Sequence, residues 1–125
     1  MKEKCMMQEL TNQLKEAYLQ CEREVLGVHP QEVEVRVIKN HIVIIAKGTP
    51  TIEQSISVHA IRGRSIHQTI CEMDRERLQA LLKPKVASIV GCDVTSIQSD
   101  ICIGTGEKME LIHLDCDIEN KFMHD

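Results

Sequence analysis

The first part of the chain alternates apolar and polar residues with the spacing of an α-helix. From residue 3 to residue 25, apolar residues follow one another at steps of three and four. They are Met7, Leu10, Leu14, Ala17 or Tyr18, Cys21 and Val25. The remaining face carries Glu9, Lys15, Glu16, Glu22 and Arg23. This pattern predicts an amphipathic helix whose apolar face lies on a sheet or on the same helix of a second subunit.

The next segment has the two-residue period of a β-hairpin. Gly27-Val-His-Pro30 ends the helix, because proline cannot continue one. Residues 32–37 alternate charged residues with valine, which predicts a half-buried strand. Residues 42–46 are apolar throughout and predict a more fully buried partner strand. Lys39 and Asn40 separate the two strands, and we expect a two-residue turn there because Asn tolerates the left-handed conformation.

The middle of the chain begins with residues that favour a helix start. Thr49 is a suitable N-cap, and Pro50 fits the first helical position, where a missing N–H costs nothing. A short helix or turn is predicted through residues 52–60. We expect Gly63 to interrupt it.

A longer helix is predicted from Arg64. Its apolar side carries Ile66, Ile70, Met73, Leu78 and Leu81. Pro84 leaves two alternatives, because proline removes a backbone donor and clashes with the preceding turn. It either breaks or kinks this helix, or it opens a further short helix that Gly91 ends.

The last part of the chain predicts a second hairpin. Two β-like runs, within residues 94–115, meet at Gly104-Thr105-Gly106-Glu107. Glycine adopts positive φ without steric cost, so this segment is expected to be the turn. Residues 118–125 are expected to form a frayed, flexible tail.

The order of elements predicts the fold class. A helix, a hairpin, helices and a second hairpin indicate a two-layer α+β sandwich, in which a mainly antiparallel four-stranded sheet is covered by helices on one face. The chain has 125 residues, of which 42% are hydrophobic. That is enough for one compact domain. We predict a single domain over residues 1–117, followed by the tail.

Charge and composition narrow the classes of function. The net charge is −4 and basic residues are mixed with acidic ones, so we expect no nucleic-acid binding. The N-terminus has charges where a signal peptide needs an apolar region, and no apolar run is long enough to span a membrane. A cytoplasmic protein without membrane insertion is therefore predicted. The cysteines, at positions 5, 21, 71, 92, 102 and 116, are expected to be reduced thiols.

Three groups of polar residues are candidates for chemistry. The Gly104–Glu107 segment favours a plain turn over a phosphate loop, because a strand follows it instead of a helix. Asp100, Glu107, Asp115 and Asp117 lack the spacing of a calcium loop. His67, Cys71 and Asp74 share one helix face and could serve a cysteine nucleophile or two corners of a zinc site. A solvated polar face is the favoured explanation, because a nucleophile also needs an oxyanion pocket and a zinc site needs two more ligands, for which the chain has no C-x-x-C.

Arginine and histidine supply two further candidates. Arg62 and Arg64 flank a glycine at the start of the long helix, where bidentate guanidinium groups and the helix dipole favour an oxyanion. Surface ion pairs with nearby acidic residues are the simpler explanation. His41 and His113 lie inside apolar runs and are interpreted as strand residues at a sheet edge or open face.

The order of several short motifs resembles a bacterial and archaeal family, the MpsC-like domains of a sodium-translocating, membrane-potential-generating system. The match runs from about Tyr18 to Asp115. Its motifs are Gly27-x-x-Pro30, the Val33/Val35/Val37 strand, the apolar strand to Gly48, Gly63-Arg64, Gly91-x-x-Val94-x-Ser96-Ile97-x-Ser99-Asp100-Ile101 and Thr105-Gly106-Glu107 before a strand to Leu114. The resemblance implies a small soluble partner of a cation- or bicarbonate-handling membrane system, or a regulatory module of that type. It carries over no catalytic residue, metal or cofactor.

The first hypothesis is therefore a non-enzymatic accessory or regulatory module. We expect it to form a homodimer, through the N-terminal helix or an edge strand, and to dock on another protein, including peripherally at a membrane. The alternative is a sensor of a small oxyanion or cation, which would bind through Arg62, Arg64, Asp100, Thr105 and Glu107. A Cys71-dependent enzyme is the third hypothesis.

Overall fold

The computed structural model describes residues 2–27, 29–48, 60–102 and 107–123. The helices are α1 (Lys2–Leu26), α2 (Ala60–Val90) and α3 (Ile118–Met123). The strands are β1 (Glu32–Ile38), β2 (His41–Lys47), β3 (Val94–Cys102) and β4 (Glu107–Leu114). The α+β prediction and both predicted hairpins are confirmed.

The strands form one antiparallel sheet in the order β1-β2-β4-β3. The second strand of each hairpin therefore lies in the centre, and β1 and β3 are the edges. One row of paired residues crosses the whole sheet and contains Val35, Ile44, Glu110 and Ser99. Because side chains alternate along a strand, this row points to a single face.

Helices α1 and α2 pack together on that face and enclose the core. From the helices, Leu10, Leu14 and Tyr18 of α1 and Leu78, Leu82 and Val86 of α2 are buried. From the sheet, the buried residues include Ile42, Ile44, Ile112 and Leu114. The opposite face of the sheet has no layer over it among the described residues.

Glycines end both long helices, as their positions predict. Gly27 has a φ of 67° and Gly91 a φ of 71°, a region that only glycine adopts without strain. The Gly27 N–H donates to the Arg23 carbonyl at 2.9 Å, and the Gly91 N–H donates to the Ala87 carbonyl at 2.9 Å. These bonds satisfy carbonyls that would otherwise lack a partner at the helix end.

The β1–β2 turn has the predicted length but a different left-handed residue. Lys39 has a φ of 54°, and Asn40 does not adopt positive φ. The Lys39 N–H donates to a Glu119 carboxylate oxygen at 2.7 Å, and its carbonyl accepts from the Glu119 N–H at 3.1 Å. Asn40 instead donates its side-chain amide to the Leu114 carbonyl at 3.2 Å. Tertiary hydrogen bonds therefore hold Lys39 in an unfavourable conformation.

Helix α2 is continuous, so the predicted interruption at Gly63 and the predicted break or restart at Pro84 are wrong. Gly63 lies within the helix, and Pro84 neither breaks it nor starts a new one. Pro84 and Ala80, whose carbonyl loses its donor, are both exposed, so water can satisfy that carbonyl. Met73, placed on the apolar side by its spacing, is 56% exposed. The helix predicted over residues 52–60 lies outside the described residues except for Ala60.

The segment from Ile118 is helical instead of frayed. Asp117 acts as the N-cap, because its carboxylate accepts the Asn120 N–H at 3.0 Å. The Ile118 side chain is fully buried, and Phe122 packs against the core. The Lys121 ammonium donates to the Val90 carbonyl at the end of α2, at 2.9 Å. Residues 118–123 thus pack with the rest of the domain.

The burial of Ile118 predicts a stability effect. We expect Ile118→Ala to lower the free energy of unfolding by about 2–5 kcal/mol, because it removes buried methyl groups and leaves a cavity. Urea denaturation measures the change. Asn120→Ala, on the exposed side of the same helix, is the matched control and should change stability by less than about 0.5 kcal/mol. Equal, small effects of both substitutions would show that α3 does not contribute to the core.

Candidate functional site

Strand β4 places two charged side chains in the core. Lys108 and Glu110 are 6% and 3% exposed, and they lie on the same side as Ile112. The apolar residue between them, Met109, points to the open face and is 38% exposed. The usual pattern of apolar residues inside and polar residues outside is therefore inverted in the first half of β4.

Glu22 of α1 is the partner of Lys108. The Lys108 ammonium lies 3.2 and 3.3 Å from the two carboxylate oxygens of Glu22. Glu22 is fully buried, so its assignment to the polar face of the N-terminal helix is wrong. The Tyr18 hydroxyl, one turn earlier, donates to the same carboxylate. Burial and then the Glu22 charge raise the pKa of Tyr18 far above its ordinary value, so Tyr18 is a permanent donor.

Glu110 is held by a second chain of hydrogen bonds. The Gln79 amide of α2 donates to the Ser99 hydroxyl of β3 at 2.8 Å. That hydroxyl donates to a Glu110 carboxylate oxygen. The pKa of Glu110 is raised to about 7, chiefly by burial. The charge of Glu22 also raises it, while the hydrogen bond from Ser99 and the charge of Lys108 lower it. Glu110 therefore exchanges its proton near neutral pH.

Arg75 of α2 completes the charges of this buried polar cluster. Its guanidinium lowers the pKa of Glu110, although less than Ser99 and Lys108 do. The Arg75 Nε atom is buried and has no hydrogen-bond partner among the residues that the structure describes. With Glu22 and Lys108, the cluster contains two carboxylates and two cations. It connects α1, α2, β3 and β4, and its net charge changes by one when Glu110 gains or loses a proton.

A shallow groove adjoins the cluster. It has a volume of about 260 Å³ and lies between α2 and β3, where Gln79 and Ile97 form part of its wall. Gln79 also donates to the Ile97 carbonyl at 3.3 Å. The Glu22 and Glu110 carboxylates are buried, and neither residue lines the groove.

The predicted ligand residues lie elsewhere. Asp100 is exposed on β3, and Glu107 is half-buried at the start of β4. The β3–β4 register places both on the open face, near the predicted turn, and each interacts with other groups of the protein. Arg62 and Arg64 belong to the start of α2, but the structure does not describe their side chains. Thr105 lies outside the described residues.

The remaining candidate residues are the two aspartates that follow β4 and the helix face with His67, Cys71 and Asp74. Asp115 and Asp117 accept backbone N–H groups of Asp93 and Asn120, so they cap local structure. They lie at the opposite end of the hairpin from Asp100, which argues against a shared cation site. The structure does not describe the side chains of His67 and Cys71; Asp74 beside them is half-buried.

His41 and His113 occupy strands, as the sequence indicates. They pair directly across β2 and β4. Their rings meet edge to face, with centroids 4.5 Å apart. Both lie on the open face of the sheet, where each is half-buried.

Two cysteines depart from the predicted reduced state. Cys92 and Cys116 form a disulfide, with Cα atoms 6.1 Å apart. The prediction of reduced thiols is wrong for this pair. An Asp115 carboxylate oxygen lies within 4.8 Å of both sulfurs. Cys21 is free and buried, as predicted for a core cysteine.

The family follows from a comparison with known sequences. The model of a family described as the Na+-translocating membrane potential-generating system (MpsC) matches residues 7–116. The chain belongs to the MpsC family. The match covers nearly the whole chain, including β1 to β4, and confirms the resemblance. No curated protein and no solved structure matches. Over the part of the chain that the structure describes, no helix is both long and apolar enough to cross a bilayer.

The raised pKa of Glu110 predicts how the stability of this MpsC protein depends on pH. Between the ordinary carboxyl pKa of 4.5 and about 7, folded Glu110 retains a proton that the unfolded chain releases. Stability should therefore fall as pH rises through this range, by at most about 3 kcal/mol, and level off above it. Glu110→Gln should reduce this fall, measured by urea unfolding at each pH. Glu76→Gln, at an exposed site on α2, is the control, and equal slopes in all three proteins would contradict the assignment.

The Glu22–Lys108 pair predicts a non-additive pair of mutations. Lys108→Met leaves the Glu22 carboxylate buried without a countercharge, and should cost about 3–5 kcal/mol. Combining it with Glu22→Gln should restore much of the loss, because Gln is neutral and still accepts from Tyr18. Lys83→Met, on the exposed side of α2, should have little effect. A double variant less stable than Lys108→Met alone would exclude this account.

Proposed function

We propose that the protein is a non-enzymatic accessory or regulatory module of a sodium-translocating, membrane-potential-generating system, and that it acts by contacting another protein. Membership of the MpsC family supports the link to such a system. The apolar surface on the open face of the sheet supports the proposed contact with another protein.

Four apolar side chains form a central apolar patch on this open face. They are Val43 and Ile45 of β2 and Met109 and Leu111 of β4. Val43 pairs directly with Leu111, and Ile45 pairs with Met109, so the four side chains are contiguous. Their half-exposed state, although β2 and β4 are the two central strands, leaves apolar surface in contact with water. Contiguous apolar surface of this kind is typical of a contact site.

Polar residues surround the central apolar patch. On the β1 side, Glu34 and Arg36 pair with Ile45 and Val43, and they form an ion pair at 2.7 Å. On the β3 side, Gln98 and Asp100 pair with Leu111 and Met109. An apolar centre with a polar rim is the arrangement of protein–protein interfaces.

The charges of this rim favour a protein partner over a polyanion. Glu34 neutralises the single arginine, and Asp100 adds a negative charge on the opposite side. The whole chain carries a net charge of −4. Attraction to lipid phosphates or nucleic acid needs a concentration of Lys and Arg, which the described part of this face lacks.

Homodimerisation is part of the proposal. Within the described part of the chain, β1 and β3 are the edge strands of the sheet, and an exposed edge strand pairs readily with a second copy. Helix α1, the other predicted contact, buries its apolar face in the core of its own chain, so the edge strands are the favoured dimer contact.

Fewer observations support the sensor hypothesis than support the contact with another protein. Asp100 and Glu107 do share the open face near the predicted turn. Each of them already interacts within the protein, which reduces its capacity to take up a ligand. Oxyanion or cation binding remains a prediction.

A charge placed in the central apolar patch should abolish the contact. The experiment captures proteins from the source cell's membrane fraction with the wild-type chain, with Met109→Glu and with Met73→Glu. Met73 is also an exposed methionine, 56% against 38% for Met109, and it lies on α2, away from the patch, so its variant is the control. We expect wild type and Met73→Glu to retain a component of a sodium-translocating system, and Met109→Glu to retain at least about tenfold less.

Mass spectrometry identifies the captured component, and light scattering reports the oligomeric state of each variant. The proposal fails if Met109→Glu captures the same component as the wild type. It also fails if the captured proteins include no part of a cation-translocating system.

A further inference from the structure

The loops that carry Cys92 and Cys116 are held together independently of their disulfide. Cys92 lies between α2 and β3, and Cys116 lies between β4 and α3. The Asp115 N–H donates to the Asp93 carbonyl at 3.0 Å. In return, the Asp93 N–H donates to the Asp115 carboxylate at 3.0 Å. These two hydrogen bonds keep the cysteines adjacent whether or not their sulfurs are bonded.

The same two hydrogen-bonded loops bring together three potential metal ligands, two sulfurs and one carboxylate oxygen. The sulfurs of Cys92 and Cys116 and an Asp115 carboxylate oxygen lie within 4.8 Å of one another. Ligands around a tetrahedral zinc ion, with bonds of about 2.0–2.3 Å, are separated by about 3.3–3.8 Å. Small side-chain rotations would therefore bring the reduced ligands to a metal. The hydrogen bond from Asp93 to the carboxylate orients it, as outer partners of metal ligands do.

The surroundings leave room for a fourth ligand and balance the charge. A pocket of about 360 Å³ opens at the cysteines and is lined also by Gly91, Asp93 and Lys121. Water or the Asp93 carboxylate could enter from it. Two thiolates and one carboxylate carry three negative charges, so binding a divalent ion leaves one negative charge. With water as the fourth ligand, the Lys121 ammonium, fixed by the Val90 carbonyl at 2.9 Å, offsets that charge.

We propose that Cys92, Asp115 and Cys116 form a redox-gated site for a thiophilic divalent cation of the Zn²⁺ type. In the disulfide state the sulfurs are not thiolates, and the site is closed. A dithiol reductant opens it by thiol–disulfide exchange, in which the reductant becomes a disulfide and the protein gains two electrons and two protons as two thiols. The metal then binds both sulfurs, and the two thiol protons pass to solvent.

Either state links the same two parts of the fold. The disulfide joins the start of β3 to the segment before α3, and a metal held by the same residues would join them too. The buried Ile118 side chain would keep its place in both states. The site therefore exchanges one cross-link for another as the redox conditions change, and this exchange does not depend on the proposed function.

Co²⁺ is the probe, because thiolate coordination gives it a ligand-to-metal charge-transfer absorption. The protein is reduced with a dithiol, freed of reductant without air, and titrated with Co²⁺ and then Zn²⁺. We expect one Co²⁺ per chain with a thiolate band, which Zn²⁺ removes. Cys92→Ser and Cys116→Ser should each lose the band, and Asp115→Asn should weaken binding at least about tenfold. Cys21→Ala, which removes the buried free thiol, should keep the band.

Unaltered protein supplies a test that needs no variant. Zn²⁺ should raise the Tm of the reduced chain and leave that of the oxidised chain unchanged, because only the reduced form binds it. The proposal is overturned if reduced protein shows no thiolate band. It is equally overturned if the band persists in both serine variants, or if Zn²⁺ raises the Tm of both redox forms alike.

Discussion

The ion pair between Glu22 and Lys108 fixes how the first helix lies on the sheet. Its partners are separated by 86 residues in the chain, and both are almost completely buried. Moving α1 along the sheet by one turn would separate the charges and leave each without a partner in a medium of low polarity, which is strongly unfavourable. Apolar contacts alone are non-directional and tolerate such shifts. The ion pair, with Tyr18 donating to the same carboxylate, therefore selects one position of α1.

The elements could be predicted from the sequence because each has a local signal. Valine alternation marks β1, and steps of three and four mark α1. The buried polar cluster has no such signal. In β4, Lys108 and Glu110 are in phase with Ile112, while Met109 is in phase with Leu111, so both faces contain apolar residues. Which face of such a strand is buried depends on what packs on each side. In the sequence, Glu22 likewise looks like an ordinary surface residue, because only the folded structure places Lys108 opposite it.

Two further differences between the sequence prediction and the structure also arise from tertiary contacts. The pairing of Cys92 with Cys116 depends on the β3–β4 register, which brings together residues that are 24 positions apart. Residues 118–125 look like a polar tail, yet Asp117 is a good N-cap and Ile118 an apolar residue directly after it. That pair was the available signal for α3. For two of the predicted ligand residues, Asp100 and Glu107, the register of the hairpin is enough to place them on one face of the sheet.

The strand order β1-β2-β4-β3 has a consequence for how the protein is made. The N-terminal hairpin leaves the ribosome first, and the second edge of β2 stays unpaired until residues 107–114 have been synthesised. That edge belongs to the apolar run of residues 42–46. An unpaired apolar strand is a template for aggregation. Helix α1, which precedes the hairpin, can shield one face of it during this interval, but the edge itself is protected only when β4 arrives. Nascent chains that stop before residue 107 should accordingly be the ones that most need chaperones.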